Sequence, residues 1–132
     1  MTTAAAIAAT VLFLATAAFQ LALALGAPWG AHVLGGRYPD RLPGRLRLFS
    51  AIAAVVLAGA GLVVLGRAGV IVPPPGAVAF LAPACWVIAA FLGLNTLGNL
   101  RSNSRLERTV FAATTAALAV LSAYVALTGT GV

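Results

Sequence analysis

The sequence predicts an all-α fold, that of a polytopic membrane protein whose four transmembrane helices form an up-down-up-down bundle. Of the 132 residues, 62% are hydrophobic and 8% are charged, whereas a soluble domain carries about 25% charged residues. The apolar residues also fall into four long runs, which short segments rich in Gly, Pro or Arg separate. About 20 apolar residues suffice for a helix to cross a bilayer. The composition therefore excludes a soluble globular domain and a disordered chain.

Each apolar run predicts one helix of a single transmembrane domain that covers residues 1–132. We expect the helices at about residues 3–25, 48–65, 77–100 and 105–128. The first run carries no charge and ends at Gly26 and Pro28, which are typical helix-terminating residues. A cleaved secretory signal is the alternative for this run. Such a signal begins with a positively charged segment, whereas no Lys or Arg precedes Arg37. The third run follows three prolines and Gly76, and Pro83 in its second turn is expected to bend it slightly.

A capping box marks the beginning of the fourth helix. Ser104 stands three residues before Glu107, at the start of an apolar run. In this motif the serine hydroxyl accepts from the Glu107 amide, and the glutamate side chain reaches back to the Ser104 amide. A solvated charge is the alternative role for Glu107.

The distribution of arginine predicts the orientation. Seven of the eight arginines lie between the first two runs or between the last two, and Arg67 alone lies between the second and third. The seven are Arg37, Arg41, Arg45 and Arg47, and then Arg101, Arg105 and Arg108. Positively charged loops stay in the cytoplasm, so we expect both termini on the outer side of the cell membrane. Anionic lipid headgroups are the expected partner of these loops; nucleic acid is excluded because the arginines sit in the breaks between apolar runs.

Polar residues inside apolar runs are the default places to look for a site. Gln20 and Asn95 each lie five residues before the end of their helix, and Asn99 follows Asn95 by one turn. In the predicted topology the three amides reach a similar depth near the cytoplasmic edge. The adjacent loop 26–47 contains three prolines and five glycines and is apolar for a free loop, so we expect it to fold against the membrane.

Two interpretations of this region remain open. In the structural one, Gln20, Asn95 and Asn99 bind the backbone of the folded loop, because non-helical backbone at that depth must be satisfied by protein. In the other, the loop and the amides enclose a pocket that opens to the cytoplasmic leaflet and holds a lipid headgroup or a quinone-like ligand. The loop residues that would form this pocket are Trp29, His32, Arg37 and Asp40.

The sequence favours a non-enzymatic role, as an accessory or interaction protein or as a binder of lipid-like ligands at the cytoplasmic leaflet. One alternative is a small transporter or channel formed by oligomerisation, with Thr114, Thr115 and Ser122 along a shared axis. A second alternative is a membrane enzyme that uses His32 and Asp40. One His and one Cys are too few for a zinc site, so we predict no metal. No carboxylate lies within an apolar run and no phosphate-loop, CxxC or serine motif is present, so we also predict no cofactor and no catalytic residue. A homo-oligomer and a larger membrane partner both remain open.

Two stretches, residues 23–47 and 91–108, carry a resemblance to a group of known proteins. They read LALGAPWGAHVLGGRYPDRLPGRLR and FLGLNTLGNLRSNSRLER. Together they resemble the uncharacterised small four-helix integral membrane proteins of bacteria. The composition, rich in Ala, Gly and Arg and without Lys, resembles that of actinobacterial proteins. The resemblance implies a four-helix topology in a bacterial inner membrane, and it implies no activity and no functional residues.

Overall fold

The computed structural model describes residues 1–130, which form four long helices joined by short segments. The helices are α1 (Thr2–Leu25), α2 (Gly44–Arg67), α3 (Val78–Leu100) and α4 (Glu107–Thr128). Each is long and apolar enough to cross a membrane. The predicted all-α class and the four apolar helices are therefore confirmed.

Helix α2 begins at Gly44, four residues before the apolar run that predicts it. Its first turns therefore include Arg45 and Arg47, whose long apolar stems can lie on the bundle while the charge stays at its edge. The Arg47 side chain uses its Nε to donate to the Ala24 carbonyl at 2.9 Å. A cation is favourable at that position because Ala24 lies at the carboxyl end of α1.

The beginning of α4 differs from a complete capping box. The Ser104 hydroxyl does accept from the Glu107 amide, at 3.4 Å. The Ser104 amide, however, donates to the hydroxyl of Ser102 at 3.0 Å, and the Glu107 carboxylate binds elsewhere. The first five residues of α4, Glu107–Phe111, are π-helical, a distortion that is often found at functional sites.

The helices pack as two pairs. Helix α1 packs most extensively against α2, and α3 against α4, whereas α2 and α3 touch much less. Small residues allow the close approach: a Cβ atom at Gly61 of α2 would stand 3.3 Å from Cγ2 of Thr10 on α1, and close packing of small residues is what holds helices together in lipid. The centre of the core contains Phe13, Val64, Cys85, Leu92, Leu118 and Val125.

Candidate functional site: a lateral groove and its loop cap

Helices α2 and α3 meet at one end and diverge toward the other. Where they meet, Gly66 lies against Leu81, and a Cβ atom at Gly66 would stand 3.6 Å from the leucine methyl groups. Toward the end formed by residues 26–47 and 101–106, here called the arginine-rich end, the helices expose Phe49, Ile52 and Phe91 instead of packing them together. The divergence leaves a groove that opens sideways between α2 and α3.

The groove has a volume of about 740 Å³, within the range of about 300–1,000 Å³ typical of ligand sites. All four helices and the loop before α2 line it. Its floor contains Phe13, Leu92 and Leu118, which are fully buried. Most of the lining side chains are apolar, so the groove suits a hydrocarbon chain.

A few polar side chains also line the groove. Gln20 reaches it from α1, Ser50 from α2, and Asn95 and Asn99 from α3. Ser50 is only 6% exposed, and its hydroxyl makes no hydrogen bond within residues 1–130. The Asn99 amide donates to the Thr115 hydroxyl at 3.4 Å. The Ser50 hydroxyl lines the groove without a partner among the described residues, so it is available to a polar group of a ligand there.

The loop 26–47 folds back over the arginine-rich end and caps the groove. Val33 and Leu42 of the loop form a second buried cluster with Leu23 of α1. The Trp29 ring stacks on Phe19 with the ring centroids 5.4 Å apart. The loop is therefore held by its own small core, and Val33 and Leu42 also line the groove.

Glu107 ties this loop to the beginning of α4. Its carboxylate accepts from the amides of Leu34 at 2.7 Å and Gly35 at 3.0 Å, and also from the Ser102 hydroxyl. Leu34 and Gly35 both have positive φ angles, of 52° and 73°. Successive amides in such a conformation form a concave anion-binding site. A leucine with positive φ is strained by roughly 1 kcal/mol or more, and the bound carboxylate compensates for that strain.

A second contact and a second cavity complete the arginine-rich end. The Ser104 hydroxyl donates to the carbonyl of His32 at 2.7 Å. Beside Glu107 lies a polar cavity of about 310 Å³, lined by the 34–37 and 98–107 segments with Arg37 and Arg101. Leu34, Asn99 and Glu107 line both this cavity and the groove, so the two spaces adjoin.

The structure divides the residues singled out in the sequence into two groups. Gln20, Asn95 and Asn99 line the groove, and Arg37 lines the polar cavity. Trp29, His32 and Asp40 line neither. Trp29 packs on Phe19, and the last two contribute backbone carbonyls, since Asp40 accepts from the Gly30 amide at 2.8 Å. Within residues 1–130 no hydrogen bond joins the side chains of His32 and Asp40.

The loop is anchored, as one of the two interpretations expects, but other residues anchor it. Within the described part of the chain, Gln20, Asn95 and Asn99 make no hydrogen bond to the loop, which is held by Glu107, Ser104 and the loop's own apolar cluster. The reason is geometric. The three amides line the groove, whereas Ser104 and Glu107 lie against the loop.

Sequence reasoning missed Glu107, Ser50 and Arg101 as site residues. Glu107 is the chain's one glutamate and stands at the edge of an apolar run, a signal that could have identified it. Ser50 lies near the start of α2, among apolar residues, and nothing in its spacing separates it from a packing serine. Arg101 is one of seven arginines at the same end of the bundle, so its position beside Arg37 could not be read from the sequence.

Comparisons of the chain with protein-family models, with curated proteins and with solved structures find no match.

Proposed function

We propose that this protein is a multi-pass membrane protein, an up-down-up-down bundle with its arginine-rich end in the cytoplasm, and that it binds a lipid-like ligand from the cytoplasmic leaflet. The observation that carries the proposal is the lateral groove. A groove of about 740 Å³ with a buried apolar floor opens where lipid chains would surround the helices. A ligand that lies in the membrane can enter it without crossing a polar barrier.

The polar groups of the groove support a bound molecule rather than bulk lipid. Ser50 and Gln20 have no hydrogen-bond partner among the described residues and face the same space as Asn95. Hydrocarbon offers such groups no hydrogen bond, so a polar side chain that faces it without a partner is unfavourable. A ligand with an ester, hydroxyl or carbonyl oxygen near this depth would satisfy them.

The burial of Thr115 and Ser122 favours ligand binding by one chain over a pore between subunits. Thr115 is buried and shares hydrogen bonds with Thr96 and Asn99 of α3, and Ser122 is fully buried within the bundle. A pore between subunits requires polar groups on an outer face of each subunit. Thr115 and Ser122 face the interior of one chain instead, and Thr114, the third residue of the pore alternative, lines the groove.

Filling the groove tests the proposal. Ala53 of α2 lines it, and we expect Ala53→Trp to occupy the space of the ligand. The probe is dioleoyl-phosphatidylglycerol in nanodiscs, and native mass spectrometry of the released protein counts retained lipid. Wild type should retain lipid, and Ala53→Trp should retain about tenfold less. A tenfold loss of affinity corresponds to about 1.4 kcal/mol of binding free energy.

Ala90→Trp is the matched control. Ala90 is exposed on α3 and does not line the groove, so the same change in size there should leave retention at the wild-type level. A wild-type protein without retained lipid would contradict the proposal. Equal retention by Ala53→Trp and Ala90→Trp would do the same, because the lipid would then lie outside the groove.

Reporter cysteines test the orientation. Val72, between α2 and α3, and Asn103, between α3 and α4, are both exposed, whereas the native Cys85 is buried. A membrane-impermeant maleimide added to intact cells should label Val72→Cys and should label Asn103→Cys only after permeabilisation, because arginine-rich segments stay in the cytoplasm. The wild-type chain supplies the background. The reverse pattern would place the groove's polar end in the outer leaflet.

A further inference from the structure

The polar cavity beside the groove is lined by two cations. Arg37 comes from the loop before α2, and Arg101 comes from the end of α3. Both side chains are exposed, and within residues 1–130 neither donates a hydrogen bond to a carboxylate. Their charges are therefore available to a ligand.

The one carboxylate in this cavity is already engaged. Glu107 accepts from the amides of Leu34 and Gly35 and from the Ser102 hydroxyl. These donors take up much of its acceptor capacity, since a carboxylate offers about four lone-pair sites. Two arginines beside a hydrogen-bonded carboxylate leave the cavity with an excess of positive charge.

We infer that this cavity binds the phosphate of an anionic lipid whose chain lies in the groove, an inference that rests on the proposed function and specifies its ligand. Arginine binds phosphate oxygens through parallel charge-assisted hydrogen bonds, and basic pockets at the cytoplasmic ends of helices suit anionic headgroups. Arg37 and Arg101 come from different segments and line the same cavity, so both are available to one phosphate bound in it.

The arrangement of the two cavities follows the order of groups in a lipid. The apolar groove extends along α3 from Val87 to Asn99, about 18 Å by helical rise. The polar cavity adjoins it at Asn99, at the arginine-rich end. A molecule with a hydrocarbon chain, a polar linkage and a phosphate in sequence meets the apolar walls, then the polar side chains, and then the arginines.

Lipids with equal chains and different headgroup charge test the inference. The probes are dioleoyl-phosphatidylglycerol and dioleoyl-phosphatidylcholine in mixed nanodiscs, with retained lipid identified by native mass spectrometry. Wild type should prefer the anionic lipid. Arg37→Gln and Arg101→Gln should each lower its retention about tenfold, the loss expected for one charge-assisted contact, with little change for the zwitterionic lipid.

Arg45→Gln is the matched control, because Arg45 is exposed in the same part of the chain and lines neither cavity. It should retain both lipids as wild type does. Equal losses for all three arginine variants would overturn the inference, because the preference would then reflect net charge alone. Equal retention of the two lipids by wild type would also overturn it.

Inorganic phosphate separates a headgroup site from a site for free phosphate. Millimolar phosphate should leave retention of the anionic lipid unchanged, and displacement of the lipid by phosphate would overturn the lipid assignment. Failure of the proposed function has a different signature. If the proposed function fails, neither lipid is retained, or Ala53→Trp has no effect on retention. If this inference alone fails, the groove still retains lipid but does not distinguish the two headgroups.

Discussion

Gly30→Ala is expected to detach the loop cap from the bundle. The Gly30 amide donates to the Asp40 carbonyl at 2.8 Å, and the two backbone segments touch there. A Cβ atom at Gly30 would stand 2.6 Å from the Tyr38 carbonyl oxygen and still closer to that of Asp40. Backbone atoms cannot rotate away as a side chain can, so the segments must separate and the hydrogen bond is lost. We expect a cost of about 3 kcal/mol.

Hydrogen–deuterium exchange in detergent measures this effect locally. Amides of residues 28–42 should exchange faster in Gly30→Ala, while the centres of α1 and α4 stay protected. Gly44→Ala is the control, because a Cβ atom at Gly44 meets no atom within 4 Å. The two variants should differ clearly, and equal exchange of the loop in both would show that the Gly30 contact does not hold it.

The four helices could be predicted because one property determines them. A run of about 20 apolar residues is long enough to cross a bilayer as one helix. The breaks contain residues that mark helix boundaries, such as Gly26 after α1 and Pro43 before α2. Hydropathy places the start of α2 too late, because it counts Arg45 and Arg47 as polar, although a long apolar stem lets such a side chain stand in the first turns of a helix at the edge of the bundle. The predicted start of α2 is about one turn too late, and it is misplaced at arginines, whose side chains combine an apolar stem with a charged end.

The groove could not be predicted, since it depends on where two helices do not touch. Helical periodicity identifies the small residues that allow contact, such as Gly66, but bulky residues such as Phe91 are equally compatible with packing and with exposure. Gln20, Asn95 and Asn99 were identified because amides are unusual inside apolar runs. Their place along an open groove, rather than against the loop, follows from the divergence of α2 and α3.

Leu34 connects the cap to both cavities. It lines the groove and the polar cavity, and its positive φ of 52° is a conformation that leucine rarely adopts. Strained residues persist where surrounding contacts determine them and cluster at ligand sites. Here the determining contact is the Glu107 carboxylate, so the shape of the ligand site depends on a hydrogen bond between segments that are 73 residues apart.

Glu107→Gln is therefore expected to loosen the cap without removing any bulk. The carboxylate accepts from three donors, the amides of Leu34 and Gly35 and the Ser102 hydroxyl. An amide keeps one acceptor oxygen and turns an NH₂ group toward at least one of these donors. We expect a loss of about 2 kcal/mol in the stability of the loop, because hydrogen bonds to a charged group are each worth about 1.5–3 kcal/mol.

Asp40→Asn supplies the comparison, because it makes the same change of charge on the loop that Glu107 of α4 holds. Its side chain is exposed and makes no hydrogen bond within residues 1–130, so the change should stay within about 0.5 kcal/mol. The readout is exchange of the Leu34 and Gly35 amides, which should be more than about tenfold faster in Glu107→Gln alone, since 1.4 kcal/mol corresponds to tenfold. Similar exchange in the two variants would mean that charge, and not the three hydrogen bonds, accounts for the role of Glu107. The cap would then be held by the Ser104 hydrogen bond and the Leu23, Val33 and Leu42 cluster.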